Sequence, residues 1–176
     1  MQLGLHKGMA MTDVLEQRLR SEDRRIKLRQ QMYHFATYKP RTELQVRRKL
    51  ELLEAVPDEV AELMSWIRSF GIVDDAVYAR RFVEAADERK PMSTSAMRRT
   101  LRMKGVADIH IDAALATRVP DQSILAARRV AEKKLRMLGN ASETERREKL
   151  IRFLQYRGYS WDVIREVVDA LSSGGG

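Results

Sequence analysis

The sequence predicts an all-α fold, arranged as an elongated, curved array of three tandem three-helix repeats. Pro and Gly are scarce, with 4 Pro and 9 Gly among 176 residues, which leaves few interruptions for a turn-rich β fold. Apolar residues recur at helical spacing through most of the chain. Two short motifs also return after 51 and 53 positions, namely Arg47-Arg48-Lys49-Leu50 at Arg98-Arg99-Thr100-Leu101 and Lys104-Gly105-Val106 at Arg157-Gly158-Tyr159.

The repeats and the two chain ends divide the sequence into five parts. Residues 1–22 form an N-terminal extension without a sustained apolar stripe, and the sequence leaves open whether it is ordered. Three-helix repeats are expected over residues 23–72, 73–118 and 119–172, followed by a flexible Ser- and Gly-rich tail at 173–176. Because three short helices bury little surface alone, neighbouring repeats should stack on one another.

The first repeat begins with a helix that ends at Lys39-Pro40, because Pro disfavours the helical conformation of the residue before it. Thr42 and Gln45 have the spacing of a capping box that starts the second helix. Pro57 starts the third helix, which ends at Gly71. The predicted inward residues are Leu28, Met32, Phe35 and Ala36, then Val46, Leu50 and Leu53, then Val60, Leu63, Met64, Ile67 and Phe70.

The second repeat shows the same punctuation. Asp74, Ser93 and Asp108 are the predicted N-caps of its three helices. The first of these helices closes at Lys90-Pro91, and Gly105 supplies the left-handed cap that ends the second. The predicted inward residues are Val77, Tyr78, Phe82 and Ala85, then Met97 and Leu101, then Ile111, Ala114 and Leu115.

The third repeat runs from Asp121 to the end of the fold. Gly139 ends its first helix, and Ser142 with Glu145 forms a capping box for a helix that ends at Gly158. Ser160 is expected to cap the last helix. The predicted inward residues are Ile124, Ala127, Ala131, Leu135 and Leu138, then Leu150, Phe153 and Leu154, then Ile164, Val167, Val168 and Leu171.

Composition limits the function classes. The net charge of +8 makes an acidic partner the first to test, and the absence of Cys excludes disulfides, thiolate metal sites and a Cys nucleophile. No apolar run approaches the about 18 residues that cross a membrane, and no secretory pattern is visible, so we expect no membrane partner and a cytoplasmic location. The absence of an obvious extra apolar face favours a monomer.

The sequence shows no catalytic constellation, and we expect a protein that is not an enzyme and needs no cofactor. The three His residues lie in separate segments, and no phosphate-binding Gly loop is present. Asp74 and Asp75 could be a carboxylate pair for magnesium, but Asp at the start of an apolar-striped helix is better explained as a cap. No metal site is therefore predicted.

Basic residues on the middle helix of each repeat are the candidate functional residues. Because they lie off the apolar stripe, stacking would align them along one surface that could bind phosphates or an acidic protein, although a solvated helix face explains any single Arg. A helix-turn-helix repressor that binds duplex DNA remains an alternative, as does an interaction scaffold. The candidates are Arg47, Arg48, Lys49, Arg98, Arg99, Arg102, Lys104, Arg152 and Arg157.

The order of several motifs resembles the RecX family, which regulates the bacterial recombinase RecA. The resemblance covers roughly residues 26–171 and includes Thr42-Glu43-Leu44, Gly71-Ile72-Val73-Asp74-Asp75 and Met97-Arg98-Arg99. Lys90-Pro91-Met92-Ser93-Thr94 stands where the family often has a Gly-Tyr-Gly-Pro type segment, and Tyr38-Lys39-Pro40-Arg41 replaces a more Ser- and Arg-rich turn. The motif residues with an expected structural role are Leu50, Gly71, Asp74, Asp75, Tyr78, Phe82, Leu101, Gly105, Phe153, Leu154, Gly158 and Tyr159.

The resemblance implies a non-enzymatic modulator of recombination, DNA repair and the SOS response. Such a protein lodges in the groove of the RecA filament on single-stranded DNA, contacts that DNA, and binds free DNA only weakly. It usually restrains ATP hydrolysis, strand exchange and coprotease activity. The sequence leaves open whether this chain inhibits or stimulates RecA, and whether it binds along the filament or at its ends.

Overall fold

The computed structural model describes residues 13–139 and 141–173, which contain nine α-helices and no strand. The predicted all-α repeat fold is therefore confirmed. No helix in these ranges combines the length and the apolar character needed to cross a bilayer. The helices are α1 (Asp13–Tyr38), α2 (Glu43–Leu52), α3 (Pro57–Ser69), α4 (Asp75–Arg89), α5 (Thr94–Met103), α6 (Asp108–Ala116), α7 (Pro120–Arg136), α8 (Glu143–Tyr156) and α9 (Trp161–Ser173).

The described residues form two compact units. Unit 1 comprises residues 13–40 and 46–72, in which α1 packs against α3. Glu59 joins these helices, because its Oε1 accepts a hydrogen bond of 2.9 Å from Arg24 Nε and its Oε2 accepts one of 3.0 Å from the Val56 N–H that precedes α3. Burial acts to raise the pKa of Glu59, but the bonds from Val56 and Arg24 outweigh it and lower the pKa below its usual value.

Unit 2 comprises residues 41–45, 73–139 and 141–173 and contains two apolar cores. In the first core, α4, α5 and α6 pack together around buried residues that include Ala79, Met97 and Ile111. In the second core, α7, α8 and α9 pack around Ala127, Leu154 and others. Each core therefore belongs to one set of three consecutive helices, as the repeat pattern predicts.

Four predicted N-caps are confirmed by hydrogen bonds from backbone N–H groups. Thr42 and Gln45 form the reciprocal bonds of a capping box at 3.1 and 3.3 Å, and Ser142 and Glu145 do so at 3.2 and 3.3 Å. Asp74 Oδ1 accepts hydrogen bonds from the N–H groups of Ala76 at 2.8 Å and Val77 at 2.9 Å. Ser93 Oγ accepts one from the N–H of Ala96 at 3.2 Å.

The predicted cap at Asp108 is wrong. Ala107 occupies the N-cap position of α6 and makes no side-chain cap bond. Asp108 is instead the first residue of the helix, where its carboxylate receives the Arg102 guanidinium at 2.7 and 3.1 Å. Because α6 begins at Asp108 itself, this residue lies one position after the N-cap.

Two predicted inward residues are exposed, and one predicted boundary moves. Phe70 follows the end of α3 with 69% of its surface exposed, and Ala85 is exposed while Ala86 is the buried residue of α4. The first helix is also not short: it has 26 residues and begins at Asp13, so residues 13–22 of the proposed extension are helical. The remainder of that extension, residues 1–12, and tail residues 174–176 lie outside the described ranges.

Candidate functional site

Helix α5 carries three of the predicted basic residues and is fixed at its N-terminus by serine hydroxyls. Met97 and Leu101 are fully buried on its inner face, which leaves Arg98, Arg99 and Arg102 on the remaining surface. Ser93 Oγ donates a hydrogen bond of 2.6 Å to the carbonyl of Arg157, and Ser95 Oγ donates one of 2.7 Å to the carbonyl of Gly158. The start of α5 is therefore tied to the turn that ends α8.

A groove of about 680 Å³ lies between α5 and the segment from Gly158 to Val163. The three arginines of α5 line it together with hydroxyl and apolar groups. Guanidinium and hydroxyl donors beside an apolar wall can bind the oxygens of phosphates or carboxylates. We call this cavity the α5 groove, lined by Ser93, Thr94, Ser95, Arg98, Arg99, Arg102, Met103, Ser123, Gly158, Tyr159, Ser160 and Val163.

Carboxylates of α6 orient two of the three arginines. Arg98 Nη1 lies 2.5 Å from Asp112 Oδ1, and Arg102 binds both oxygens of Asp108. The hydrogen bond with Arg102 lowers the pKa of Asp108, and the same bond raises the pKa of Arg102. Arg99 is exposed and forms no ion pair or hydrogen bond within the described ranges, so its guanidinium is the one available to a new anion.

The other predicted basic residues do not line the α5 groove. Arg152 pairs with Glu148 at 2.9 Å on the exposed surface of α8. Lys104 Nζ lies 5.9 Å from the centre of the Tyr78 ring, and Arg157 Cζ lies 4.8 Å from that of Phe153. The α2 residues Arg47, Arg48 and Lys49 belong to unit 1, where the two arginines are exposed and the lysine is half-buried.

The neighbouring carboxylates Asp74 and Asp75 serve two different helices. Asp74 caps its own helix α4, whereas Asp75 Oδ1 accepts a bond of 2.9 Å from the N–H of Glu43, the first residue of α2. Burial raises the pKa of Asp75. Among the described residues, no group of three or more His, Cys, Asp or Glu side chains is placed to hold a metal ion.

The leucines among the remaining motif residues lie at equivalent structural positions. Leu50, Leu101 and Leu154 are fully buried, one on the middle helix of each set of three. Tyr159 is also buried, and the other aromatic residues of the motif, Tyr78, Phe82 and Phe153, are half-buried. The motif glycines Gly71, Gly105 and Gly158 have φ angles of 60°, 83° and 79°.

Sequence reasoning missed a second basic cavity, of about 580 Å³, bounded by the end of α4 and by α7 and α8. We searched for basic residues that repeat, and this cluster does not repeat. The dense run from Arg128 to Arg136 was the available signal. We call it the α7 cavity; Arg157 is the lining residue that was predicted, and the others that are basic are Arg89, Lys90, Arg129, Lys133, Lys134 and Arg136.

Comparison with known proteins identifies the family. Family models of the second and third three-helix domains of RecX match residues 74–115 and 121–168. The chain is 37% identical to the regulatory protein RecX of Chlorobaculum tepidum over 111 residues, covering 63% of this chain and 67% of that protein. It is 26% identical to the regulatory protein RecX of Limosilactobacillus reuteri over 168 residues, covering 96% of this chain but only 64% of that relative's length.

A solved structure agrees with these matches. A crystal structure of a regulatory protein RecX superimposes with a TM-score of 0.80 at 25% identity, covering 94% of this chain and 83% of the other. The helical repeats, the cap residues and the motif glycines therefore occur in a chain that aligns with RecX proteins along nearly its whole length. The chain belongs to the RecX family.

Proposed function

We propose that this chain is a non-enzymatic regulator of RecA that binds in the helical groove of the RecA filament on single-stranded DNA. The relatives that it matches are named regulatory proteins, which supports a regulatory role. The observation that carries the proposal is the α5 groove, where Arg99 lies exposed and lines the same cavity as two arginines already oriented by carboxylates. Such a groove suits DNA phosphate or an acidic surface of the filament.

The proposed mechanism requires no chemistry from this chain. A protein held in the filament groove occupies the space that a second DNA duplex would enter, which restrains strand exchange and coprotease activity. By contacting neighbouring RecA subunits it also resists the movements that accompany ATP hydrolysis. The tie between α5 and the end of α8 supports this role, because it holds the arginines on a fixed backbone.

The test measures ATP hydrolysis by RecA from the same bacterium on single-stranded DNA, titrated with this protein. We expect hydrolysis to fall, with the full effect only near saturation of the filament. Full inhibition far below one protein per RecA subunit would contradict groove binding and indicate capping of filament ends. Tighter, sequence-selective binding to free duplex DNA would favour the repressor alternative.

A matched pair of charge reversals tests the site itself. Arg99→Glu should weaken binding to the filament by about tenfold or more, because it replaces a cation–anion contact with repulsion. Arg128→Glu makes the same change in charge on α7, outside the groove, and should bind within about twofold of the unmodified chain. Equal binding by both variants, at low and at physiological salt, would contradict the proposed site.

A further inference from the structure

The α7 cavity is lined by more cations than the α5 groove, whose lining includes three arginines. Of its eleven lining residues, seven are Lys or Arg and none is Asp or Glu. These cations come from helices α4 and α7 and from the residues that directly follow α4 and α8, so the fold, and not one run of sequence, brings them to a single cavity. Concentrating like charge in this way costs free energy unless an anion offsets it.

None of the carboxylates that the structure describes forms an ion pair with these cations. Arg89, Lys90, Lys133 and Arg136 form no ion pair within the part of the chain that the structure describes. Arg129 Nη1 donates a hydrogen bond of 3.0 Å to the backbone carbonyl of Asp87, which leaves its charge unbalanced. In the α5 groove, by contrast, two of the three arginines are paired.

Part of the lining of the α7 cavity is apolar and aromatic. Phe153 is half-buried, with Arg157 Cζ at 4.8 Å and Lys134 Nζ at 5.6 Å from its ring centre. Val130 and Met137 extend this apolar surface. A guanidinium plane can stack on a base, and apolar side chains can cover a planar heterocycle. A small inorganic anion would use neither feature.

We infer that the α7 cavity binds a nucleoside polyphosphate, with the phosphates on the cations and the base against Phe153, Arg157 and Met137. The volume of about 580 Å³ is that of a small-molecule site. A nucleic-acid strand carries one phosphate per nucleotide and would bring only one or two into this volume. A nucleoside triphosphate brings three contiguous phosphates, which matches the density of cations better.

The test is a calorimetric titration of the full chain with ATP, with tripolyphosphate, adenosine and a short oligothymidylate as comparison ligands. We expect ATP to bind more tightly than the other three. The double variant Lys133→Ala/Arg136→Ala should weaken ATP binding by about tenfold or more, because two charged phosphate contacts are lost. Both positions are exposed, so the fold should be retained, as circular dichroism would verify.

A control variant removes the same charge elsewhere. Arg80 and Arg81 are exposed cations of α4 outside the cavity, so Arg80→Ala/Arg81→Ala should bind ATP within about twofold of the unmodified chain. An equal loss in both variants would overturn the inference in favour of general charge attraction, and no loss in the cavity variant would overturn it outright.

The comparison ligands separate the remaining outcomes. Tripolyphosphate binding as tightly as ATP would show that the base makes no favourable contact with the apolar lining, and would overturn the nucleoside part of the inference. Oligothymidylate binding more tightly than ATP, with the same dependence on Lys133 and Arg136, would assign the cavity to a strand. The readout is direct binding without RecA, so its result is independent of the filament proposal.

Discussion

Two contacts in unit 2 have the same geometry but different chemistry. In the first contact, Thr42 Oγ1 donates a hydrogen bond of 2.7 Å to the carbonyl of Lys104, and Leu44 packs against Gly105. In the second, 51 to 53 residues later, Ser93 and Ser95 meet Arg157 and Gly158 in the same way. In each, the hydroxyl that caps one middle helix also satisfies a carbonyl at the end of another.

The surroundings of the two contacts differ. The first is completed by Leu44 and by Asp75, which accepts the N–H of Glu43. The second has a buried ion pair beside it: Arg118 lies 2.7 Å from Asp87, with side chains 2% and 12% exposed, and donates to Thr94 Oγ1 at 2.8 Å. The comparison teaches that the fold repeats a backbone geometry, while close packing stabilises one copy and a buried guanidinium the other.

The largest predicted effect is the loss of that guanidinium. Arg118→Met should destabilise the protein by about 3–5 kcal/mol, because it leaves the Asp87 carboxylate buried without its partner. It also removes the donors to Thr94 Oγ1 and Ser123 Oγ. Chemical denaturation followed by circular dichroism measures the change.

Arg102→Met is the control for this prediction. It breaks the exposed ion pair with Asp108, where water replaces the lost contact, and should lower the free energy of unfolding far less than Arg118→Met does. A loss as small for Arg118→Met would show that the second contact does not depend on the buried charge.

The second-largest predicted effect comes from replacing the glycine of each contact by alanine, and it should differ between the two contacts. Gly105→Ala and Gly158→Ala both place Ala at a positive φ, which costs about 1–2 kcal/mol. The new Cβ at Gly105 would lie 2.5 Å from Leu44 Cβ, which the backbone fixes, whereas at Gly158 it would lie 2.4 Å from Ser95 Oγ, which can rotate away at the cost of its exposed hydrogen bond to the Gly158 carbonyl. Gly105→Ala should therefore be the more destabilising variant, with a total loss of about 2–4 kcal/mol.

Gly139→Ala is the reference that measures the cost of a positive φ alone, without a steric clash. Its φ is 52° and, apart from its chain neighbours, no atom of the described residues lies within 4 Å of the position of a new Cβ. Its free energy of unfolding should therefore fall by about 1–2 kcal/mol and no more. If Gly105→Ala falls no further than this reference, the close approach of Leu44 adds nothing to stability.

The cap hydroxyls should have smaller and similar effects at the two contacts. Thr42→Val and Ser93→Ala each remove a cap and leave a carbonyl without its donor, a loss of about 1–3 kcal/mol. Ser142→Ala removes an exposed cap that bonds only within its own capping box, and should cost about 0.5–1 kcal/mol. Thermal unfolding of the three variants compares them, and equal losses would mean that the longer-range bonds are energetically neutral.

The hydrogen bonds within each capping box could be predicted from the sequence. A capping box needs residues three positions apart, so Thr42 with Gln45 and Ser142 with Glu145 were predicted and are confirmed. The hydrogen bonds from the cap hydroxyls to distant carbonyls join residues more than 60 positions apart, as between Thr42 and Lys104, and no local pattern encodes that distance. The cap predicted at Asp108 was wrong by one position, because Ala107 at the N-cap has no capping side chain that would mark the boundary in the sequence.

The candidate site was also predicted only in part from the sequence. Repetition of the Arg motif identified Arg98 and Arg99, and both line the α5 groove. The pairing of Arg98 with Asp112 and the isolation of Arg99 depend on how α5 meets α6, which the motif does not specify. The α7 cavity was missed because its cations come from elements separated by up to 68 positions, from Arg89 to Arg157, and show no repeat.

The smallest predicted effect concerns Tyr159, which follows Gly158 as Val106 follows Gly105. Both residues are buried, and both N–H groups bond back to a buried leucine carbonyl, on Leu154 and Leu101. Only tyrosine adds a hydroxyl, and that atom is buried without a hydrogen-bond partner in the described structure. Tyr159→Phe should therefore change the free energy of unfolding by about 0.5 kcal/mol or less near neutral pH, and could increase it.

Alkaline pH should increase the difference in free energy of unfolding between Tyr159→Phe and the unmodified chain. Burial raises the pKa of the Tyr159 phenol above the value of 10.0 expected when the chain is unfolded. The stability linked to the neutral phenol is present below pH 10 and is lost as pH rises through the folded-state pKa, because the unfolded chain then ionises more easily. Tyr159→Phe should lose less stability than the unmodified chain between pH 9 and about pH 11, as measured by denaturation at both values. A loss above about 1 kcal/mol at neutral pH would instead show that the hydroxyl takes part in the Arg118 network of the second contact.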